Sequence, residues 1–252
     1  MINALSNAEL ALQTHQKNID MISHNVSNIN TPGYKASRPV FNALVSQGEQ
    51  SSASRQGVGQ GVSLADTVSL FTTGELKFSG SPLDVAIQGN GLLEVELENG
   101  DLAYSRIATL RKLEDGTLAT VNGHRLTANV IVPPDVTEMV IGSNGEVTGK
   151  LSNTEESVSL GQIDLAIFDS FESLKVSSQG LWLRTEEAGD LNYARPGEDG
   201  AGELLQGFVE MSNVNMINEM VSLMSAQRAY QLNSRVVQVS DQILETINNL
   251  SR

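Results

Sequence analysis

The sequence predicts an α+β fold, in which helices at the two chain ends pair as a coiled coil and a central, mostly antiparallel β domain lies between them. Apolar residues recur at helical spacing in residues 5–29 and 214–250, whereas apolar and polar residues alternate in the region between them. The chain has 252 residues, enough for a sizeable hydrophobic core. No apolar run approaches the roughly 20 residues that a membrane helix needs, so we expect no membrane insertion.

The N-terminal helix is predicted from a heptad repeat in residues 5–29. A second apolar series begins at Ala8 and is interrupted only by His15. This spacing is typical of coiled-coil packing. The helix should stop near Pro32, because proline disfavours a helical conformation in the residue before it. The first apolar series comprises Leu5, Leu12, Ile19 and Val26.

The C-terminal helix carries two apolar stripes rather than one. Two neighbouring stripes make an apolar face too wide for a single partner helix. We therefore expect the second stripe to be buried against other copies of the chain. The first stripe comprises Met216, Leu223, Tyr230, Val237 and Leu244. The second comprises Ala229, Leu232, Val236, Val239, Ile243 and Leu250.

The middle of the chain has the two-residue period of β-strands. Leu93, Val95 and Leu97 alternate with glutamates, and Ile163, Leu165 and Ile167 repeat the pattern. Asn-Gly and Asp-Gly pairs favour tight hairpins, and Gly89-Asn90-Gly91 is predicted as another hairpin turn. The pairs are Asn99-Gly100, Asp115-Gly116, Asn122-Gly123 and Asn144-Gly145.

Four regions follow from these patterns. Residues 1–45 form the N-terminal helix and turn, and residues 46–75 form a linker or extended segment. Residues 76–205 form the β domain, and residues 206–252 form the C-terminal helix.

The acidic charge of the protein is concentrated in its middle. Residues 41–209 hold 24 acids and 10 bases, which accounts for the whole net charge of −14, while residues 1–40 and 210–252 carry +1 and −1. An acidic surface repels phosphate groups, so we expect no nucleic-acid partner. The nearly neutral ends escape like-charge repulsion and are suited to packing against copies of themselves.

The chain lacks the residues that most catalytic and metal sites require. It has no cysteine and three histidines, and no serine occupies a nucleophile-elbow motif. The loop acids Glu186, Glu187 and Asp190 do not have the spacing of a calcium-binding EF-hand loop. We therefore expect no enzyme activity, no metal and no cofactor.

Three runs resemble the bacterial flagellar rod and hook protein family. Residues 18–35 read NIDMISHNVSNINTPGYK and resemble its N-terminal signature. Residues 206–215 read QGFVEMSNVN and resemble its second signature, which continues through residues 219–234. Residues 83–91 read LDVAIQGNG and are similar to the start of its β domain. The matching motif residues are Asn25, Asn28, Thr31, Pro32, Gly33, Tyr34, Ser212, Asn213, Asn215, Gln227, Arg228 and Tyr230.

The resemblance implies a structural subunit whose terminal helices polymerise into the rod that crosses the periplasm and transmits torque to the hook. Implied partners are copies of itself, neighbouring rod and hook proteins, the P and L ring proteins and the flagellar type III export apparatus. Export through that apparatus would need no cleaved signal peptide, and the first cationic residue, Lys17, indicates no Sec-type signal. The expected self-assembly residues are Leu5, Leu12, Ile19, Val26, Met216, Leu223, Tyr230, Val236, Val239, Ile243 and Leu244.

Length and the C-terminal run are most like the distal rod members of the family. Leu92 and Leu93 stand where aromatic residues are expected, and residues 46–75 are short, which leaves open a proximal rod paralogue or a second flagellar system. The run from Phe41 to Val45 resembles an export-gate element, with core packing as its other possible role. The rival hypothesis is a monomeric binding module whose helices cap its own sheet.

Overall fold

The computed structural model describes residues 2–45, 59–128, 130–152, 157–177 and 180–250. Side chains at residues 2–6, 42–45, 59–65, 244, 247, 248 and 250 lie outside the described part, and so do the predicted contacts of Leu5, Leu244 and Leu250. The contacts divide the chain into two units. The helical unit comprises Met1–Ser27, Ser37–Val68 and Asn215–Arg252, and the β unit comprises Asn28–Ala36 and Ser69–Val214.

The helical unit contains the predicted helices at both chain ends. Its helices are α1 (Ile2–Ser27) and α2 (Met216–Leu250), which pack against each other. At about 1.5 Å per residue, the 26-residue α1 is shorter than the 35-residue α2 and covers only part of it. Neither described helix is long and apolar enough to span a membrane. The unit also holds a two-stranded sheet of β1 (Ser37–Val45) and β2 (Gly59–Ser69).

The last turn of α1 lies beside the first turn of α2, so the two packed helices run antiparallel. Asn25 Nδ2 on α1 donates to Glu219 Oε1 on α2 at 3.3 Å. The same amide group pairs with the first residue of β1, because Asn25 Nδ2 donates to the Ser37 carbonyl and Asn25 Oδ1 accepts from the Ser37 N–H, both at 2.9 Å. Asn25 therefore joins three elements of the helical unit.

The heptad on α1 is buried more through small and polar residues than the sequence predicts. Ala8 and Ile22 are buried, but so are Thr14 and Asn25, whereas Leu12, Ile19 and Val26 are only half-buried. Thr14 Oγ1 donates to the Leu10 carbonyl at 2.8 Å, which satisfies its hydroxyl within the helix. α1 ends at Ser27, shortly before the predicted stop, and the chain turns at Asn28, whose carbonyl accepts from Thr31 N–H.

The predicted linker and export-gate segments are described only in part. Residues 46–58 lie outside the described part of the chain, and the remainder of the predicted linker contains β2. The Phe41 side chain on β1 is exposed, whereas the side chains of residues 42–45 lie outside the described part.

The β unit consists of short strands joined in antiparallel pairs. The strands are β3 (Leu76–Phe78), β4 (Val85–Gln88), β5 (Leu93–Glu96), β6 (Leu102–Ser105), β7 (Leu110–Lys112), β8 (Leu118–Thr120), β9 (Arg125–Leu126), β10 (Val136–Ile141), β11 (Glu146–Leu151), β12 (Ser157–Gln162), β13 (Leu165–Phe168), β14 (Lys175–Val176), β15 (Leu181–Leu183), β16 (Leu191–Ala194), β17 (Glu203–Gln206) and β18 (Phe208–Glu210). The largest sheet has the order β14-β15-β6-β5-β9-β8-β7, and β10-β11-β12 form a second sheet.

The predicted alternation and hairpin turns are confirmed for most of this unit. On β5, Leu93 and Val95 enter the main core while Glu94 and Glu96 face away from it. The four Asn-Gly and Asp-Gly pairs lie between strands that pair with each other. β13 departs from the prediction, because both of its faces are buried: Leu165 joins the main core, and Phe168 joins a second, aromatic cluster.

The hairpin predicted at Gly89-Asn90-Gly91 is wrong. The strand before it, β4, pairs with β17, and the strand after it, β5, pairs with β6 and β9. β3 likewise pairs with β18. The first two strands after Leu70 are therefore paired with the last two strands of the β unit, which local turn patterns cannot reveal.

Candidate assembly surface and buried junction

Four residues of the second stripe predicted on α2 form an exposed apolar surface, which we call the aliphatic strip (Leu232, Val236, Val239 and Ile243), whereas Ala229 of that stripe is half-buried. Its side chains are 62, 51, 53 and 46% exposed, respectively. Residues on the opposite side of α2 are much less exposed, and Ala226 there is buried. Nothing in the described part of this chain covers the strip. It is therefore available for contact with another molecule, as a surface patch of this kind often is.

The first three turns of α2 carry a further exposed apolar surface, the methionine strip. Met216, predicted to belong to the stripe that faces α1, is 50% exposed, and its neighbours are exposed too. Neither predicted stripe indicates this surface, because Met216 is its only member that either stripe includes. The methionine strip comprises Met216, Ile217, Met220, Val221 and Met224.

The remaining predicted residues of α2 are placed as follows. Leu223 is half-buried, Tyr230 is 37% exposed, and Gln227 and Arg228 are exposed. Asn215 caps the helix, because its Oδ1 accepts from the Asn218 N–H at 3.1 Å. An asparagine at this position satisfies one of the N–H groups that have no partner inside the helix.

The two signature runs, far apart in sequence, meet in the β unit around one buried carboxylate, which we call the buried junction. Glu210 Oε1 accepts from Lys35 Nζ at 2.7 Å and from Gly74 N–H at 2.8 Å, and Glu210 Oε2 accepts from Arg106 Nε at 2.5 Å. The three charged side chains are at most 3% exposed. The Glu210 carbonyl also accepts from Gly33 N–H at 2.8 Å.

Arg106 is held by backbone carbonyls as well as by Glu210. Its Nη1 donates to the Gly91 carbonyl at 2.6 Å, and its Nη2 donates to the carbonyls of Ile87 and Gly89, each at 2.7 Å. The segment wrongly predicted as a hairpin thus supplies acceptors for a buried guanidinium group. Because a buried charge without partners is very unfavourable, these contacts are what allow Arg106 to lie in the interior.

The junction contains two cations and one anion, and their pKa values shift accordingly. Burial lowers the pKa of Lys35, and the charge of Arg106 lowers it further. Burial by itself would raise the pKa of Glu210, but the charges and hydrogen bonds of Arg106 and Lys35 outweigh burial and hold it below the ordinary value. Glu210 is therefore the carboxylate that makes two buried cations tolerable.

Asn213 and Gly33 complete the contact between the two signature runs. Asn213 Oδ1 accepts from Ala36 N–H at 2.7 Å, and its Nδ2 donates to the Leu70 carbonyl at 2.8 Å. Gly33 has φ +67°, and a Cβ there would lie 2.7 Å from Ile107 Cγ1, so only glycine fits. The other motif residues near the junction, Asn28, Thr31, Pro32, Tyr34 and Ser212, are half-buried.

Sequence reasoning did not single out the three charged residues of the junction. Lys35 and Glu210 lie within the two runs that carry the resemblance, which was the available signal. Arg106 lies in no recognised motif, and its role depends on contacts that only the fold creates. No group of three or more His, Asp or Glu side chains in the described part of the chain is placed to hold a metal ion.

Three family models match successive parts of the chain. Residues 5–35 match the flagella basal body rod protein model, and residues 86–149 match the flagellar hook protein FlgE/F/G D1 domain. Residues 205–250 match the flagellar basal body rod FlgEFG protein C-terminal model. The first and last matches include the signature runs that meet in the buried junction.

Full-length relatives agree with these matches. The chain is 34% identical to the flagellar basal-body rod protein FlgG of Caulobacter vibrioides over 99% of both chains, and 33% identical to that of Borreliella burgdorferi over the whole of both. It is also 32% identical to the flagellar hook protein FlgE of Escherichia coli, over 71% of this chain and 44% of that protein. The chain therefore belongs to the flagellar basal-body rod protein family, as a structural and non-enzymatic rod subunit that fits the distal rod type.

Proposed function

We propose that the protein polymerises through α1 and α2 into the distal rod, the part of the flagellar drive shaft that crosses the periplasm and transmits torque to the hook. The observation that carries this proposal is the exposed apolar face of α2 in a chain of the rod family. An exposed patch of large aliphatic side chains is unfavourable in water, and its burial contributes about 25 cal/mol per Å² of apolar area.

The helix pair would act as an antiparallel coiled coil. Buried and half-buried residues of α2 recur three or four residues apart, at Leu223, Ala226, Ala229, Asn233 and Val237, which is the spacing of one helix face packed against a partner. A shorter α1 covers one side of α2 and leaves the aliphatic strip on the other side for a neighbouring copy. Repeated burial of such strips along a tube would give a shaft that resists twisting.

Charge supports the same arrangement. The segments that form α1 and α2 are nearly neutral, so copies can approach through them without like-charge repulsion. The acidic middle of the chain would face outward, towards water and the P and L ring proteins. The remaining proposed partners are the neighbouring rod and hook proteins and the flagellar type III export apparatus, through which the chain would pass without a cleaved signal peptide.

The test replaces one aliphatic-strip residue with a charge. Val236→Asp or Ile243→Asp should prevent polymerisation, measured by sedimentation and electron microscopy of the purified full-length chain. Emission from Trp182, the only tryptophan and a residue of the β unit, should stay unchanged because the β unit remains folded. The matched control is Gln238→Asp, at an exposed polar position of the same helix.

The rival hypothesis of a monomeric binding module predicts the opposite result. Under that hypothesis the full-length chain stays monomeric at every concentration, and the Val236 and Ile243 variants sediment as the unaltered chain does. Polymers that form equally well from the Val236→Asp and Gln238→Asp chains would show that the aliphatic strip is not the contact.

A further inference from the structure

The methionine strip places three thioether groups in solvent on one face of α2. Met216, Met220 and Met224 follow one another at four-residue intervals and are 50, 52 and 52% exposed. They account for three of the seven methionines of the chain. By contrast, Met139 is buried in the main core of the β unit, and Met21 and Met211 are half-buried.

Exposure decides which of these sulfur atoms an oxidant reaches. Hydrogen peroxide transfers one oxygen atom to the thioether, so that its O–O bond breaks, the sulfur is oxidised by two electrons to the sulfoxide, and water is released. Methionine sulfoxide is polar, and it disrupts surfaces that associate through methionine side chains. Met139 in the core is protected, so the three strip residues should react before it.

We propose that the methionine strip is an oxidation site that controls assembly, with hydrogen peroxide as the oxidant. Oxidation of the free subunit converts an apolar surface next to the aliphatic strip into a polar one, and copies no longer pack there. This inference rests on the proposed self-assembly through α2. The aliphatic strip contains no sulfur atom that mild peroxide would oxidise. The sensitivity of α2 to oxidation therefore resides in the methionine strip, on the first three turns of the helix.

Two measurements on the purified full-length chain test the proposal. Mild treatment with hydrogen peroxide, followed by peptide mass spectrometry, should show one added oxygen at Met216, Met220 and Met224 well before Met139. The concentration needed for polymerisation, measured by sedimentation, should rise by about tenfold or more after treatment. Methionine sulfoxide reductases should restore the original value, because they reverse this modification.

The control chain carries Met216→Leu, Met220→Leu and Met224→Leu together. Leucine keeps the surface apolar and of similar volume but has no thioether to oxidise. Whatever concentration this chain needs for polymerisation before treatment, peroxide should not raise it. Oxidation that spreads over all methionines at one rate overturns the inference, and so does an oxidised chain that assembles as well as the untreated one. If the untreated chain stays monomeric, the self-assembly proposal itself fails and the inference falls with it.

Discussion

At the residue scale, the β unit depends on the neutralisation of two buried cations by one carboxylate. Glu210 accepts hydrogen bonds from Lys35, Arg106 and the Gly74 backbone, and water does not reach the cluster. A buried ion pair adds little stability compared with a well-packed apolar core, but removal of one partner leaves an uncompensated buried charge. Glu210 is therefore the residue whose loss should cost most.

Glu210→Gln should lower the free energy of unfolding of the β unit by about 3–5 kcal/mol. The amide has no negative charge to offer Lys35 and Arg106, and its NH₂ group opposes their donors. Chemical denaturation followed by Trp182 emission measures the change. Glu203→Gln, at an exposed position on the adjacent β17, is the matched control and should shift the free energy of unfolding by less than about 0.5 kcal/mol. Equal midpoints for the two variants would contradict the role assigned to the junction.

The junction also predicts acid sensitivity. The pKa of Glu210 is depressed in the folded state, so its contribution is complete above the ordinary glutamate pKa of about 4.3 and is lost as pH falls through the depressed value. Burial lowers the pKa of Lys35 in the folded state, so the unfolded chain binds more protons at that site too. Stability therefore also rises with pH between the lowered pKa of Lys35 and the ordinary lysine pKa. Denaturation at a series of pH values should show stability falling below about pH 4. The Glu210→Gln chain should show a shallower fall, and parallel curves for the two chains would count against Glu210 as the titrating group.

At the element scale, α2 combines a first turn that is anchored by hydrogen bonds with an apolar surface that is exposed to solvent. Asn215 caps its first turn, and Asn25 ties that turn to the end of α1 through Glu219. The aliphatic strip lies beyond these anchors, so the direction in which the helix leaves the cap determines where that strip points. Periodicity placed the four residues of the aliphatic strip on one stripe, and all four are exposed, while their part in assembly stays a prediction.

Loss of the cap should weaken α2 without affecting the β unit. Asn215→Ala removes the acceptor of the Asn218 N–H and should cost about 1 kcal/mol of helix stability. Thermal unfolding followed by far-ultraviolet circular dichroism measures the helical transition, while Trp182 reports the β unit. Ser222→Ala, at an exposed position inside the same helix, is the control and should not lower the transition temperature, because alanine is the better helix former. A Ser222→Ala transition that falls as far as that of Asn215→Ala would exclude the capping explanation.

At the scale of the whole molecule, the chain passes between the two units four times. The β unit takes Asn28–Ala36 from one end and closes with residues up to Val214 at the other, so its last strands complete the pairing of its first. The sequence placed the boundary of the β domain at residues 76–205, and that boundary stays a prediction. Glu210 and Asn213 lie after residue 205 and contact the β unit, so the C-terminal limit of the β domain should be tested by cutting the chain before and after them.

A chain shortened to residues 1–214 should keep the cooperative unfolding of the β unit, whereas one shortened to residues 1–206 should not. The shorter chain lacks β18, Glu210 and Asn213, so β3 loses its partner and two cations lose their carboxylate. The free energy of unfolding should fall by at least the cost of breaking a buried ion pair, which is about 3–5 kcal/mol. Trp182 emission during urea denaturation compares the chains, and identical midpoints would show that the closing segment is dispensable.

The sequence by itself determined the helices at the two ends, the acidic β region with its Asn-Gly and Asp-Gly turns, and the apolar stripe that α1 leaves uncovered. These features depend on residues within a few positions of one another, where periodicity and turn preference act. The tertiary structure alone decided that Arg106 enters the interior, that β4 pairs with β17 rather than forming a hairpin, and that the two signature runs meet at Glu210. The last two outcomes depend on contacts between residues more than 100 positions apart, and Arg106 combines such a contact, to Glu210, with carbonyls 15 to 19 positions away. No local pattern encodes such contacts.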